Sequence, residues 1–301
     1  MKLAITGATG FVGQAVLDEA ARRGLPVRAL ARRAQEERDG VEWVAGDLSA
    51  NIALRELLDG CDAVLHIAGV VSAPDSAGFT AGNVTGTQNV VEAARQAGVS
   101  RFVHVSSLAA REPGLSVYGH SKRLAEEVVQ VSGLDWTVIR PPAVYGPRDT
   151  EILELFKAAR WHVVPMPPPG RSSIIHVSDL ARLLLDLVQV DSVSQRIFEP
   201  DDGRAGGWSH RELAQSIGKA MGKRVWSPNV PRSVLAGAAR LDRLLRGGRA
   251  KLTPDRARYM AHPDWVSDPA KAVPGEAWQA QIGGEQGLAS TAEWYRRHGW
   301  L

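Results

Sequence analysis

The sequence predicts an α/β protein, a doubly wound parallel sheet followed by a smaller, irregular C-terminal α/β lobe. Three observations carry that expectation. Through residue 142, short apolar stretches alternate with helix-patterned ones, with few residues between them. Those apolar stretches show no polar alternation, as befits strands covered on both faces. Gly7, Gly10 and Gly13 of "TGATGFVG" fall between the first apolar stretch and the first helical one, where the backbone must turn tightly.

Each element follows in order. "KLAIT" (2–6) reads as the first strand and 11–24 as a helix ended by Gly24. "VRALAR" (27–32) and "VEWVAG" (41–46) read as strands, 52–60 as a helix and "DAVLHIAG" (62–69) as the fourth strand. A long helix over 83–98 ends at Gly98, "RFVHVSS" (101–107) is the fifth strand, a helix covers 117–133, and "DWTVIRP" (135–141) is the sixth strand. Right-handed crossovers leave the doubly wound sheet as the architecture that fits this order. Beyond Pro142 the rhythm breaks: prolines stand at 147, 165 and 167–169, and seven of the nine tryptophans lie past residue 150. There "SSIIHV" (172–177) and "QRIFEP" (195–200) read as strands, and 177–188 as a helix capped by Ser178. The expected division is therefore 1–142 for the sheet domain and 143–301 mainly for a substrate lobe, with about 171–200 returning to the sheet.

Composition narrows the class. At 301 residues, 44% hydrophobic and 23% charged, the chain reads as a soluble globular protein. No stretch approaches the roughly 18 apolar residues of a membrane span. The first residues do not read as a signal peptide and Cys61 has no partner for a disulfide, so a cytoplasmic location is expected. A net charge of +3 does not point to nucleic acid. One basic segment stands out, 232–251, and reads as a solvated helix face, with a membrane surface or an acidic partner as the alternative. No His, Cys or acidic grouping has metal-ligand spacing, so no metal is expected. His66, His104 and His176, in or beside apolar strands, read as hydrogen-bonded structural histidines, Cys61 as the start of a buried strand, and the tryptophans of the second half as core.

Two patterns carry chemistry. Glycines 7, 10 and 13, just ahead of a helix N-terminus, suit a pyrophosphate, whose charge would rest on the free N–H groups of the first turn. The second strand ends in "RALARRAQ", where Arg28, Arg32 and Arg33 precede any carboxylate until Glu36. A carboxylate there would hold ribose hydroxyls, whereas a guanidinium binds a 2′-phosphate. NADP(H) is therefore favoured over NAD(H), with Arg32 as the expected contact. The second pattern is "SVYGHSK", which puts Tyr118 and Lys122 on one helix face. The pair could simply pack, or the ammonium could tune the phenol for proton transfer; these residues alone leave both open.

Taken together, "TGATGFVG", "GDL" (46–48), "HIAG" (66–69), "NVTGTQNVVEAA" (83–94), "HVSS" (104–107), "YGHSK" (118–122), "RPPAVYGPRD" (140–149) and "IIHVSDLA" (174–181) resemble the extended short-chain dehydrogenase/reductase family, the NAD(P)-dependent epimerase/dehydratase type, in a reductase-like form. The resemblance covers nearly all of the first 185 residues and only loosely the rest. It implies a Rossmann sheet, with Tyr118 as general acid/base, Lys122 as its partner and Ser107 bonding the substrate oxygen. An ammonium about 4 Å from the phenol would contribute roughly 4 kcal/mol at a dielectric of about 20, or about 3 pK units before desolvation is counted. The resemblance also implies cofactor contacts from Gly7, Thr9, Gly10, Phe11, Val12 and Gly13, from Asp47 and Leu48 at the adenine, and from Ala68 and Gly69. Tyr118, Lys122, Pro141 and Val144 would line the nicotinamide end. Leu108 and Ala109 follow Ser107 where the dehydratases place Asp-Glu, and Ser172 and Ser173 stand where many sugar-nucleotide epimerases carry Arg-Asp, although Arg171 sits one step earlier. The expected activity is hydride transfer between NADP(H) and a small-molecule secondary alcohol or its ketone. The alternatives are a sugar-nucleotide epimerase or dehydratase that retains NAD, and a dinucleotide-binding subunit without turnover. By the same resemblance a homodimer would form through the helices near 83–97 and 117–132.

Overall fold

The computed structural model describes residues 1–190, 193–247 and 252–301, apart from the Arg243 side chain. It divides into two compact units: Met1–Arg140 with Leu180–Phe198 and Val273–Trp278, and Pro141–Asp179 with Glu199–Ala272 and Gln279–Leu301.

The first unit is a parallel sheet. In chain order it contains β1 (Leu3–Thr6), α1 (Phe11–Arg22), β2 (Val27–Ala31), β3 (Val41–Ala45), α2 (Asn51–Leu58), β4 (Ala63–His66), α3 (Ser76–Phe79), α4 (Gly86–Ala97), β5 (Arg101–Val105), α5 (Val117–Gln130) and β6 (Asp135–Ile139). Together with a later strand, β10 (Arg196–Phe198), the spatial order is β10-β6-β5-β4-β1-β2-β3, with every neighbouring pair parallel. The strands are short and apolar because both faces are covered. On one face Ala4, Leu30, Val64, Phe102 and Val138 pack with Leu54 and Leu57 of α2, Val90 and Ala94 of α4 and Val129 of α5. Residues one step along each strand, such as Ile5, Leu65 and Val103, are equally buried on the other face.

Two local readings need correction. The helix expected from residue 83 starts earlier. Asp75 caps α3 by accepting from the Gly78 N–H at 2.9 Å, and the chain then runs through a π-helical turn, Thr80–Thr85, into α4. The extra residue of a π turn breaks the 3.6 period, so the apolar pattern does not register it. The helix expected to be capped by Ser178 is α7 (Val177–Leu187), and Ser178 lies inside its first turn. The Ser178 N–H donates instead to His176 Nδ1 at 3.2 Å, so the imidazole does the capping.

The second unit begins with β7 (Ala143–Tyr145) and α6 (Leu153–Ala159), followed by β8 (Arg171–Ser172) and β9 (Ile174–His176), which leads into α7. After β10 come β11 (Trp208–Ser209), α8 (His210–Ala220), α9 (Arg232–Arg246), α10 (Pro254–Met260), β12 (Asp264–Trp265) and α11 (Gly284–Arg297). β7 pairs with β9, and β8 lies between β11 and β12. Tyr145, Phe156, Trp208, Ile217, Leu288 and Tyr295 form its core. A capping box starts α8: Ser209 accepts from the Glu212 N–H while Glu212 accepts from the Ser209 N–H. Of the tryptophans read as core, Trp208, Trp265 and Trp278 are buried, but Trp161 and Trp226 are exposed.

Candidate active site

The glycine loop fits a dinucleotide phosphate. Gly7 has φ +74°, and a Cβ there would lie 2.5 Å from the Ala68 nitrogen. A Cβ on Gly13 would overlap the Gly7 carbonyl. These glycines let β1, α1 and the segment after β4 close on one another. Gly10 is the N-cap of α1; it is extended, has no side-chain cap, and no acid stands in the first turn. The first N–H groups of a twelve-residue helix are thus left for an anion. Thr9 and Gly10 are exposed, and Phe11 and Val12 are partly so.

At the ends of β2 and β3, Arg32 and Arg33 are exposed and, among the described residues, form no ion pair. Arg28, by contrast, bonds the Glu56 and Asp59 carbonyls at 2.6 Å and pairs with Glu42 at 2.9 Å, which makes it structural. Asp47 accepts from the Ser49 N–H and hydroxyl at 2.8 and 2.6 Å. Those bonds, with a smaller attraction from Arg32, hold its carboxyl below the usual range. Arg32 and Asp47 therefore share one rim of the sheet. The Leu48 carbonyl accepts from Asn89 Nδ2 at 2.8 Å.

Ser107, Tyr118 and Lys122 converge beyond the C-terminal end of β5. Ser107 accepts from the Ala109 N–H at 3.2 Å and caps a short 3₁₀ turn, Leu108–Arg111. Ser116 caps α5 by accepting from the Gly119 N–H at 2.9 Å, which fixes Tyr118 in the first turn. The Tyr118 ring lies 6.2 Å from that of Phe79 and its hydroxyl is bonded to Ser107. Lys122 Nζ is buried and donates to the Val105 carbonyl at 2.8 Å. It also lies where a Cβ on Gly69 would come within 3.5 Å.

The electrostatics differ from the simple expectation. Burial raises the Tyr118 phenol above its ordinary value, and the Ser107 bond only partly offsets this. Lys122 is lowered to about 8 by burial, with Glu126 opposing. Desolvation outweighs the ammonium's pull because Lys122 points to a backbone carbonyl and is itself stripped of water.

One residue that the sequence left unread completes the arrangement. Asn83, inside the π turn, holds both backbone groups of Val70: its Oδ1 accepts at 2.6 Å and its Nδ2 donates at 2.9 Å. The same Nδ2 reaches Ser121 Oγ at 2.8 Å, and Ser121 donates to the Tyr118 carbonyl at 2.7 Å. The chain continues through Thr87 to His66 and on to Thr6. The available signal was a polar pair at helical spacing, Asn83 and Thr87, among Val90, Val91 and Ala94. Farther along the sheet, Ser106 donates to Glu126 Oε1 at 2.5 Å and Arg140 clasps Glu126 at 2.6 and 2.8 Å, all of it buried. Pro141 and Val144 belong to the second unit, where Val144 pairs with Ile175.

The histidines need a correction. His66 is fully bonded, but among the described residues neither ring nitrogen of His104, stacked on it at 5.2 Å, has a partner, nor has His176 Nε2. Burial lowers His66 to about 3 and His176 to about 4, and puts His104 well below its usual value. Neutral in the folded state, these three take up protons on unfolding below about pH 6.5. Stability is therefore lost as pH falls. Asp149, raised to about 6, and Asp202, also raised, work in the opposite sense. A net uptake of about one to two protons remains, or on the order of 1–3 kcal/mol lost per pH unit near pH 5. Urea unfolding at pH 7, 6 and 5 should show this slope; stability that rises towards pH 5 would mean that the two acids act alone and the histidines protonate freely in the folded state.

The sheet, the bare helix N-terminus and the Ser107, Tyr118 and Lys122 cluster define an NAD(P)-binding enzyme class, and comparison with known proteins agrees. The family described as NAD(P)H-binding matches residues 7–190. The chain is 37% identical to the ceramide reductase of Caulobacter vibrioides, over 99% of this chain and 96% of that protein. It is 30% identical to the 4-hydroxy-2-methyl-3-oxo-4-farnesyl-3,4-dihydroquinoline-1-oxide ketoreductase of Stigmatella aurantiaca, over 86% of this chain and 90% of that one. Among solved structures it is similar to MoeE5 in complex with UDP-glucose and NAD, with a TM-score of 0.74, 25% identity and 99% of each chain covered. The chain belongs to the NAD(P)H-binding proteins of the extended short-chain dehydrogenase/reductase family and is an NAD(P)-dependent oxidoreductase.

Proposed function

We propose that the chain is an NADP(H)-dependent reductase that converts a ketone on a ceramide-like lipid into a secondary alcohol. The observation that carries this reading is the Ser107–Tyr118 hydrogen bond beside buried Lys122, in a chain that matches a ceramide reductase along nearly its whole length. The glycine loop and the α1 N-terminus would hold the pyrophosphate, Arg32 a 2′-phosphate, and Asp47 the adenine. Bound there, the dinucleotide supplies the hydride that the carbonyl carbon accepts. Ser107 donates a hydrogen bond to the carbonyl oxygen and orients it. Tyr118 gives its proton to that oxygen as the C=O π bond is lost and the alcohol forms. Lys122, one helical turn after Tyr118 and bonded to the Val105 carbonyl, would stabilise the resulting phenolate, which a proton from solvent then restores. A phenol raised by burial stays protonated at neutral pH, the form that donates to a carbonyl oxygen.

A second reading, sugar-nucleotide epimerisation with retained NAD, draws on the likeness to MoeE5 bound to UDP-glucose. One observation weighs against it. Ser172 and Ser173 stand where many such epimerases carry Arg-Asp, and Arg171, one step earlier, is committed to the Gly206 and Gly207 carbonyls at 2.6 and 2.8 Å. The reductase reading includes a homodimer through α4 and α5, which light scattering would test.

The cofactor preference has its own test. Arg32→Ala should weaken NADPH by about 10–100-fold, the worth of a charge-assisted bond of roughly 1.5–3 kcal/mol, and change NADH by less than about twofold. Calorimetric titration of both reads this directly; equal weakening of the two would remove Arg32 from the phosphate site.

A further inference from the structure

Positive charge in this chain is concentrated in one place. Residues 232–251 hold six basic side chains and one acid, a net of +5; the whole chain is +3, so the remainder sums to −2. The described part of this segment is α9, and its inward stripe is thin. Leu235 and Ala239 are buried with Ala257 and Ala261, and Val230 and Leu252 pack against them. A second stripe faces solvent. Val234, Leu241 and Leu245, at i, i+7 and i+11, are 54%, 55% and 74% exposed, and Leu244 beside them is 82% exposed. Ala238 lies between them and is exposed as well. At about 100° per residue, Arg240 falls between the buried stripe and the exposed one, and it too faces solvent.

We propose that α9 is a membrane-surface helix, its leucine stripe entering the interface of an anionic bilayer while Arg240 and Arg246, both solvent-facing, hold the lipid phosphates. Such helices combine an exposed apolar stripe with flanking Lys or Arg and lie in the plane of the headgroups. Spanning is not at issue, since among the described residues no helix is long and apolar enough to cross a membrane. The charge decides between occupants. A second copy docking through the same segment would set one stretch of net charge +5 against another. A nucleic acid would satisfy the arginines but leave the leucines in water. An anionic lipid surface takes both. The inference goes beyond the reductase reading and needs no turnover, although a bilayer is also where a ceramide-like lipid resides.

The test is flotation of the full chain with vesicles of equal phosphatidylglycerol and phosphatidylcholine, against phosphatidylcholine alone. Partitioning should be at least about tenfold greater on the anionic vesicles and collapse in 0.5 M salt. Leu241→Glu/Leu245→Glu should abolish it, and Arg240→Glu should reduce it about fivefold. All three positions are solvent-facing, so the thermal midpoint should hold and NADPH should still bind. Failure of the wild type to float, or variants that float as it does, would overturn the proposal. So would a dimer that the double substitution dissolves in the absence of vesicle binding. Because flotation reads no catalysis, its failure leaves the reductase reading standing, and an inactive active site leaves the membrane helix standing.

Discussion

Tyr118→Phe is expected to lower kcat by about 10²–10⁴-fold, the usual worth of a positioned general acid, while NADPH affinity changes by less than about threefold. The substitution removes one oxygen. It keeps the ring beside Phe79 and the Ser116 cap of α5, so the loss would fall on proton transfer alone. Steady-state kinetics together with a cofactor titration separate the two effects. A variant with wild-type kcat would remove Tyr118 from the chemistry, and one that loses cofactor and turnover together would make it a binding residue instead. Ser107→Ala should act in the same direction by a smaller factor, since it takes away an orienting bond but leaves the acid.

Glu126→Ala is expected to be the most damaging substitution away from the chemistry. Glu126 is fully buried and Arg140 is 3% exposed, and the carboxylate answers both the guanidinium and the Ser106 hydroxyl. Removing one member of a buried ion pair costs about 3–5 kcal/mol. For a unit of this size that is a fall in thermal midpoint of roughly 6–20 °C. Calorimetry on the purified variant would show it; a shift under about 2 °C would mean that water reaches Arg140 and the pair is not truly dry. Lys122 would register the change as well. Glu126 opposes the burial that lowers its ammonium, so the alkaline limb of the reductase pH profile should move to lower pH in the variant.

Much of the first unit could be read from the sequence because parallel strands buried on both faces appear as unbroken apolar runs, and glycines with positive φ, such as Gly24, Gly98 and Gly133, mark the helix ends. The roles expected of Ser107, Tyr118 and Lys122 came from the family resemblance; their nearness in the fold follows because a strand end and the next helix start meet at the same edge of a doubly wound sheet. The features that escaped are non-local or aperiodic. Asn83 sits in a π turn that interrupts the helical period. Glu126 and Arg140 are unremarkable singly and become a pair only when α5 lies over β6. The segment Val273–Trp278 belongs to the first unit without any local pattern to announce it. The β7–β9 pairing joins residues about 30 apart, with α6, a proline-rich loop and β8 between them, and nothing in either tripeptide specifies the other. The expected direction of the Tyr118 shift failed for another reason. Charge spacing can be read from a helix, but the dehydration that decides its effect cannot.

The most direct test of the account is to supply the purified chain with NADPH and a ceramide-like lipid ketone in mixed micelles, following NADPH absorbance and the lipid product together. The account predicts that one secondary alcohol appears for each NADPH oxidised, with NADH a poor substitute. No net oxidation, with UDP-glucose epimerised at unchanged cofactor absorbance, would contradict it and make the chain an epimerase.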